Sequence, residues 1–315
     1  MGAFPSSLVD CFAIGGEASD GKHHHHATAA ARPGCSQNAA EPCTDGHLHE
    51  YDRVGHYTVL RRIGSGHFAS VFAVRDERDC SFHAMKVLRQ STRNDLRACS
   101  TDYRREVAIA MSMDHTNIIQ VHDLVQEGDI IGLVMEIAGT GTLFEVTKEH
   151  GGLYADEARA LFREVGSAVA HCHEHGVAHR DIKPENVVLK AAGEARLVDF
   201  GLATSPNVRT GLVHGRCGTM AYVAPEVLWA GDVGYDGAMA DVFALGVTFF
   251  TTIHDRLPFT RERVVDGVVM TTTADLSFDD DVPEALQELL LSMMREDPRQ
   301  RPTIHQVLDS PWFSE

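Results

Sequence analysis

Near Thr142 the chain changes its hydrophobic period, and such a chain cannot fold as one uniform layer. Before that point "YTVLRRIG", "SVFAVRDE", "SFHAMKVL", "IIQVHDLVQ" and "IIGLVME" are short β-branched runs broken by glycine or polar clusters, the pattern of strands. One segment among them, "TDYRREVAIAMSMD", has helical spacing instead. After Thr142 helices dominate. "ADEARALFREVGSAVAHCHEHG" puts Ala158, Leu161, Phe162, Val165, Ala168 and Val169 on one face and stops at Gly176, and "PEALQELLLSMMRED" repeats the spacing. Strands first and helices later make an α+β chain of two lobes, a β-rich one over about residues 57–137 and a helical one over about 138–313.

The first fifty-two residues have neither period. They are rich in small and polar residues, carry a four-histidine tract (His23 to His26), and are expected to be mostly disordered ahead of a folded unit at 53–315. The opening "MGAFPS" fits the pattern for myristoylation at Gly2, with Cys11 as a second acylation site, set against a free disordered terminus. Such a single chain anchors weakly, and Asp10, Glu17 and Asp20 give no polybasic help. Cys35, Cys43, His47 and His49 have an uncommon spacing for zinc. The seven cysteines are odd in number and scattered, with no secretory signal ahead of them, so free thiols in a cytoplasmic or nuclear compartment are expected. The net charge of −17 argues against nucleic acid as a partner. The most apolar stretch, Val242 to Ile253, is too short for a bilayer and reads as a buried helix.

Chemistry concentrates in a few places. "IGSGHFASV" between two strands holds Gly64 and Gly66, where a turn without Cβ atoms can lie close over phosphates; taken alone, it is an ordinary hairpin turn. Lys86 in "HAMK" is an edge lysine unless it is paired, and Glu106 lies on the helix twenty residues on. "HRDIKPEN" offers Asp181 as acceptor or orienter of a hydroxyl proton and Lys183 as a neutralising charge. Asn186 and, thirteen residues later, Asp199 of "VDFG" supply the oxygens that Mg²⁺ prefers. "APE" follows. A solvated loop explains any one of these pieces but not their order.

In that order the pieces resemble the eukaryotic protein kinases, from about Tyr57 to Phe313. The resemblance implies a bilobal fold with ATP and Mg²⁺ (or Mn²⁺) in the cleft and serine or threonine hydroxyls of protein substrates as acceptors. It makes Lys86 and Glu106 the phosphate-positioning pair, Asp181 the catalytic base assisted by Lys183, and Asn186 and Asp199 the metal ligands. Ile63, Gly64, Ser65, Gly66 and His67 would cover the phosphates. Val71, Ala84 and Val188 would sandwich adenine, Met135 would be the gatekeeper, and Glu136 and Ala138 would offer backbone hydrogen bonds. Asp241 would brace the catalytic loop, and Arg301 would pair with Glu226. Lys183 and Thr219 point to serine/threonine specificity, and "DFGLAT", "CGTMAYVAPEV" and "SPWF" look most like the calcium/calmodulin-dependent group, the checkpoint kinases above all.

The departures are specific. Ala69 stands where a third glycine is usual, and His83 where an apolar residue is more frequent. Ala110 would leave a gap in the helix packing, to be filled by Met111 or Met113 and leaving a somewhat loose active state. Gly215 occupies the place of the loop phosphorylation site that Arg180 would meet, so activity without phosphorylation there is expected, with Thr210 as the other acceptor. Thr142 and Thr251 stand where arginine-reading acids occur, and only Glu185 is kept. A pseudokinase scaffold and a small-molecule kinase are the alternatives. The substrate, the activator and the oligomeric state are not written in the sequence.

Overall fold

The computed structural model describes residues 48–49, 51–65, 69–88, 103–128, 130–139, 141–190, 193–259, 262–265, 268–271 and 276–314. The expectations placed on residues 1–47, and on Gly66 and His67, lie outside the described residues.

The β-rich lobe is built on a single antiparallel sheet. Strands β1 (Arg53–Val54), β2 (Tyr57–Ser65), β3 (Ala69–Asp76), β4 (Phe82–Leu88), β5 (Val121–Glu127) and β6 (Ile130–Met135) pair in the order β1-β2-β3-β4-β6-β5. Alternation along these runs buries Val59, Val74, Met85, Val87, Val125 and Val134 in one apolar cluster. Beside the sheet lies α1 (Tyr103–Ser112), which buries Glu106, Val107, Ile109 and Ala110. Of the two methionines expected to fill the space beside Ala110, Met113 is buried in the same cluster as Ala110, whereas Met111 is 53% exposed. Met113 is therefore the one that enters the core.

The helical lobe is built on α3 (Ala155–Glu174) and α5 (Gly237–His254). All six residues predicted for the inner face of α3 are buried, and Phe162 stacks on Phe249 of α5 at 3.8 Å between ring centroids. Helix α5 is long and apolar enough by composition to cross a membrane, but 89% of that window is buried inside the protein, as expected for a core helix. Around this pair lie α2 (Leu143–His150), α4 (Pro225–Trp229), α6 (Glu284–Met293) and α7 (Ile304–Leu308). Thr142, considered above for substrate reading, is the N-cap of α2: its hydroxyl accepts from the Glu145 amide, and the Glu145 carboxylate accepts from the Thr142 amide.

Inside the helical lobe the sequence hid a small hairpin, β7 (Val187–Leu189) and β8 (Ala195–Leu197). It sits where the lobes meet. Ile118, just ahead of β5, bridges to Leu197, and Thr142 bridges to Val188. A second hairpin, β9 (Glu262–Val265) with β10 (Val268–Thr271), was likewise not predicted.

Candidate active site

Strand register gathers the first residues of the site. Strand β4 sets Lys86 opposite Val71 on β3 and opposite Leu133 on β6, with Ala84 opposite Met135. Gly64 pairs with Val71, so the end of β2 lies over the same edge. These pairings bring Gly64, Val71, Ala84, Lys86 and Met135 together across β2, β3, β4 and β6, with Ile63 at the register shift beside Gly64.

Lys86 is ion-paired with Glu106 of α1, and its Nζ also donates to Asp199 Oδ1 at 2.8 Å. The side chain of Lys86 is 13% exposed and that of Glu106 5%, while Asp199 opens to solvent at 45%. Burial acts to lower the Lys86 pKa, but the charges of Asp199 and Glu106 outweigh it and the pKa stands above the ordinary lysine value. At Asp199 burial acts upward, and the Lys86 ammonium outweighs it, so the carboxyl lies below its usual range. The charged form of each group is thus held by the other.

The second network surrounds Asp181. Lys183 Nζ donates to Asp181 Oδ2 at 2.8 Å and to the Thr219 hydroxyl at 2.7 Å. That hydroxyl in turn donates to Asp181 Oδ1 at 2.8 Å, and the Thr219 amide reaches the same oxygen at 3.0 Å. Asn186 Nδ2 donates to Asp181 Oδ2 at 3.0 Å and to its carbonyl at 2.7 Å. The close approach of the loop that carries Thr219 depends on Gly218: φ is +103°, and a Cβ there would lie 2.8 Å from the Arg180 carbonyl.

The loop is held in an unfavourable conformation. Arg180 and Asp199 have φ of 65° and 67°, a region that residues with a side chain rarely occupy. Buried Asp241 of α5 fixes the first, accepting the amides of His179 and Arg180 at 2.8 Å each, with His173 Nε2 at 3.0 Å. The second is fixed by Lys86 and by the Gly201 amide, which reaches Asp199 Oδ1 at 3.2 Å. Phe200 stands edge-on to His179, with ring centroids 5.0 Å apart.

Arg180 gains an explanation that the sequence lacked. Its Nε donates to the Leu202 carbonyl at 2.8 Å and its Nη1 to the His214 carbonyl at 2.9 Å. Val213, beside His214, exchanges both backbone hydrogen bonds with Tyr235, each 2.9 Å. The guanidinium therefore meets backbone oxygens of the segment whose Gly215 has no hydroxyl.

Asn186 directs its amide N–H to Asp181, which leaves its oxygen end as a ligand for a cation, and Asp199 faces the cleft with a carboxylate. One carboxylate and one amide oxygen fit Mg²⁺, which takes few protein ligands and keeps phosphate and water oxygens. No cluster of three or more His, Cys, Asp or Glu suited to a metal occurs among the described residues.

Sequence reasoning assigned Thr219 to specificity and missed its direct bonds to Asp181 and Lys183. It also missed His173 on Asp241. A threonine in a loop has no period, and only its nearness in space reveals its contacts.

Residues 57–313 match the family model described as protein kinase domain. Among curated proteins the chain is 36% identical over 261 residues to a putative CBL-interacting protein kinase 27 of Oryza sativa subsp. japonica, covering 82% of this chain and 64% of that one. It is 35% identical over 266 residues to CBL-interacting serine/threonine-protein kinase 16 of Arabidopsis thaliana, covering 82% and 56%. The chain thus spans about three-fifths of the length of these relatives.

Proposed function

Since this chain belongs to the protein kinase family, we propose that it is an ATP-dependent serine/threonine protein kinase. The observation that carries the reading is the pair of charge networks lining the cleft: Lys86 bound to Glu106 and Asp199, and Asp181 bound to Lys183, Asn186 and Thr219.

In this reading the hydrogen bonds around Asp181 preorganise its carboxylate to orient the acceptor hydroxyl and take its proton. Lys183 offsets negative charge on the group in transfer, and Thr219 keeps Lys183 and Asp181 at a fixed separation. Lys86, held by Glu106, meets the α- and β-phosphates. A Mg²⁺ (or Mn²⁺) ion on Asn186 and Asp199 would neutralise phosphate charge. Val71, Ala84 and Val188 enclose adenine, and the Glu136 and Ala138 backbone meets its edge under Met135. The end of β2, with Ile63, Gly64 and Ser65, covers the phosphates. The acceptors in this reading are protein hydroxyls, as the resemblance carried by Lys183, Thr219 and the "APE" segment implies, and Thr219 lies against Asp181.

Cytoplasmic or nuclear residence and weak anchoring through Gly2 stand as proposals from the sequence. So does activity without a loop phosphate, which the carbonyl partners of Arg180 support.

The test is phosphate transfer from ATP to a generic protein substrate, compared with Asp181→Asn and Lys86→Met. Loss in both variants is expected, and equal signals would mean a scaffold without turnover. Phosphatase treatment should leave the wild-type rate unchanged; abolished activity would return the control to a loop phosphate at Thr210.

A further inference from the structure

Between Met135, the last residue of β6, and Thr142, which caps α2, the described chain has no ladder of its own. This is the stretch whose backbone meets the adenine edge in the kinase reading. A connector without a ladder needs side chains to fix its angle. Glu136 supplies one.

The Glu136 amide donates to the Gln120 carbonyl at 2.9 Å, and the Gln120 amide returns a bond to Glu136 Oε1 at 3.1 Å. That ties the residue to the β-rich lobe. A pair of cations from the helical lobe converges on the same carboxylate: Lys190 Nζ pairs with Oε2, and Arg196 Nε lies 3.5 Å from Oε1. The Glu136 side chain is 18% exposed and Arg196 8%, so solvent screens this contact poorly. Arg196 is held in turn by Glu194 at 2.9 Å and by the Ala195 carbonyl at 3.1 Å.

Both cations belong to the β7–β8 hairpin region, and the geometry of that hairpin makes the contact consequential. Arg196 is the cross-strand partner of Val188, the residue beneath adenine in this reading. Leu189, next to it, donates its amide to the Gly141 carbonyl at 2.9 Å. The same hairpin therefore carries the floor of the adenine site and grips the residue that forms its edge.

We propose that Glu136 is a positioning residue for the nucleotide: its carboxylate, held between Lys190 and Arg196, sets the angle at which the connector backbone meets adenine. The proposal rests on the kinase reading. It differs from a backbone role at this position, because any residue supplies a carbonyl and only an acid is gripped by two cations.

The test uses Glu136→Gln, which keeps shape and removes charge, Lys190→Met, whose side chain is 31% exposed and outside the catalytic machinery, and the double variant. KM for ATP and kcat are measured, together with the Kd of a non-hydrolysable ATP analogue and thermal melting. Each single variant is expected to raise KM and Kd by about fivefold with kcat within about twofold, and the double to be no worse than the worse single. A merely structural role would lower the melting temperature and leave Kd alone. KM and Kd within about 1.5-fold of wild type in either single variant, or multiplying effects in the double, would overturn the proposal. A wild-type chain that binds the analogue but transfers no phosphate contradicts the kinase reading instead, and the Kd series still judges Glu136.

Discussion

The ion pairs centred on Arg301 and on Lys86 look alike on paper and are built for different ends. Arg301 and Glu226 meet at 2.6 and 2.8 Å, and the remaining guanidinium donors go to the carbonyls of Arg295, Glu296 and Met239. The Arg301 side chain is fully buried. Lys86 is also nearly buried, but it shares one ammonium between Glu106 and Asp199, and Asp199 opens into the cleft. The Arg301 site satisfies its donors with the Glu226 carboxylate and three main-chain oxygens, leaving none open to solvent. The Lys86 site has left one carboxylate facing solvent, where phosphate or a cation can approach. A closed pair holds structure, and a pair with an open side is placed to meet a ligand.

The largest expected effect lies at Arg301. Arg301→Ala leaves the largely buried Glu226 without its partner and should cost about 3–5 kcal/mol in chemical denaturation, with activity lost only in proportion to unfolding. Lys86→Met should do the reverse: phosphate transfer falls by about 10²–10³ while the stability loss stays below that of Arg301→Ala. Comparable unfolding in both variants would erase the distinction.

The pH dependence separates the sites further. The Lys86 pKa is raised, so its contribution to stability is full below the unfolded lysine value and is lost as pH rises through the folded one. The Asp199 pKa is lowered, so its contribution is full above the unfolded carboxylate value and is lost as pH falls through the folded one. The stability difference between wild type and Lys86→Met should therefore be flat from about pH 5 to about pH 9 and shrink on either side. A difference that changes steadily across neutral pH would show another titrating group in control.

A smaller effect is expected at Thr219. Thr219→Val removes a hydroxyl that bonds both Asp181 and Lys183, and a hydrogen bond to a charged group is worth about 1.5–3 kcal/mol, so kcat should fall by about tenfold or more. Thr219→Ser should recover most of it, and failure to do so would assign the loss to the methyl group. Least affected should be Ala110→Leu. Because Met113 already occupies that core, the larger side chain is expected to destabilise by about 1–3 kcal/mol, read as a lower melting temperature. An unchanged melting temperature with unchanged activity would contradict this packing and would also overturn the expectation of a loose active state at Ala110.

Much of this was legible in the residues. Strand runs and helix faces announced β2 to β6, α3 and α6 because each buries a regular stripe. Hairpin β7–β8 was not legible: three-residue strands are too short to show a period. The same limit applied at the site. Asp181, Lys86 and Asp199 declared themselves by residue type and order, but the contacts around them did not. Glu136 read as a backbone position because Lys190 and Arg196 are distant in sequence, and Arg180 read as unsatisfied because carbonyl partners leave no mark on side-chain identity. Met111 on α1 and Met113 just past its end looked equivalent until the fold exposed the first and buried the second.

The most direct test of the central claim compares kcat for phosphate transfer with nucleotide affinity in wild type and Asp181→Asn. Asp181 bonds Lys183, Asn186 and Thr219, none of them among the residues that enclose adenine, so kcat should fall by about 10²–10⁴ while the Kd of a non-hydrolysable ATP analogue stays within about twofold. Equal kcat in the two proteins would contradict the assignment of Asp181 and, with it, the account of the cleft as a phosphotransfer site.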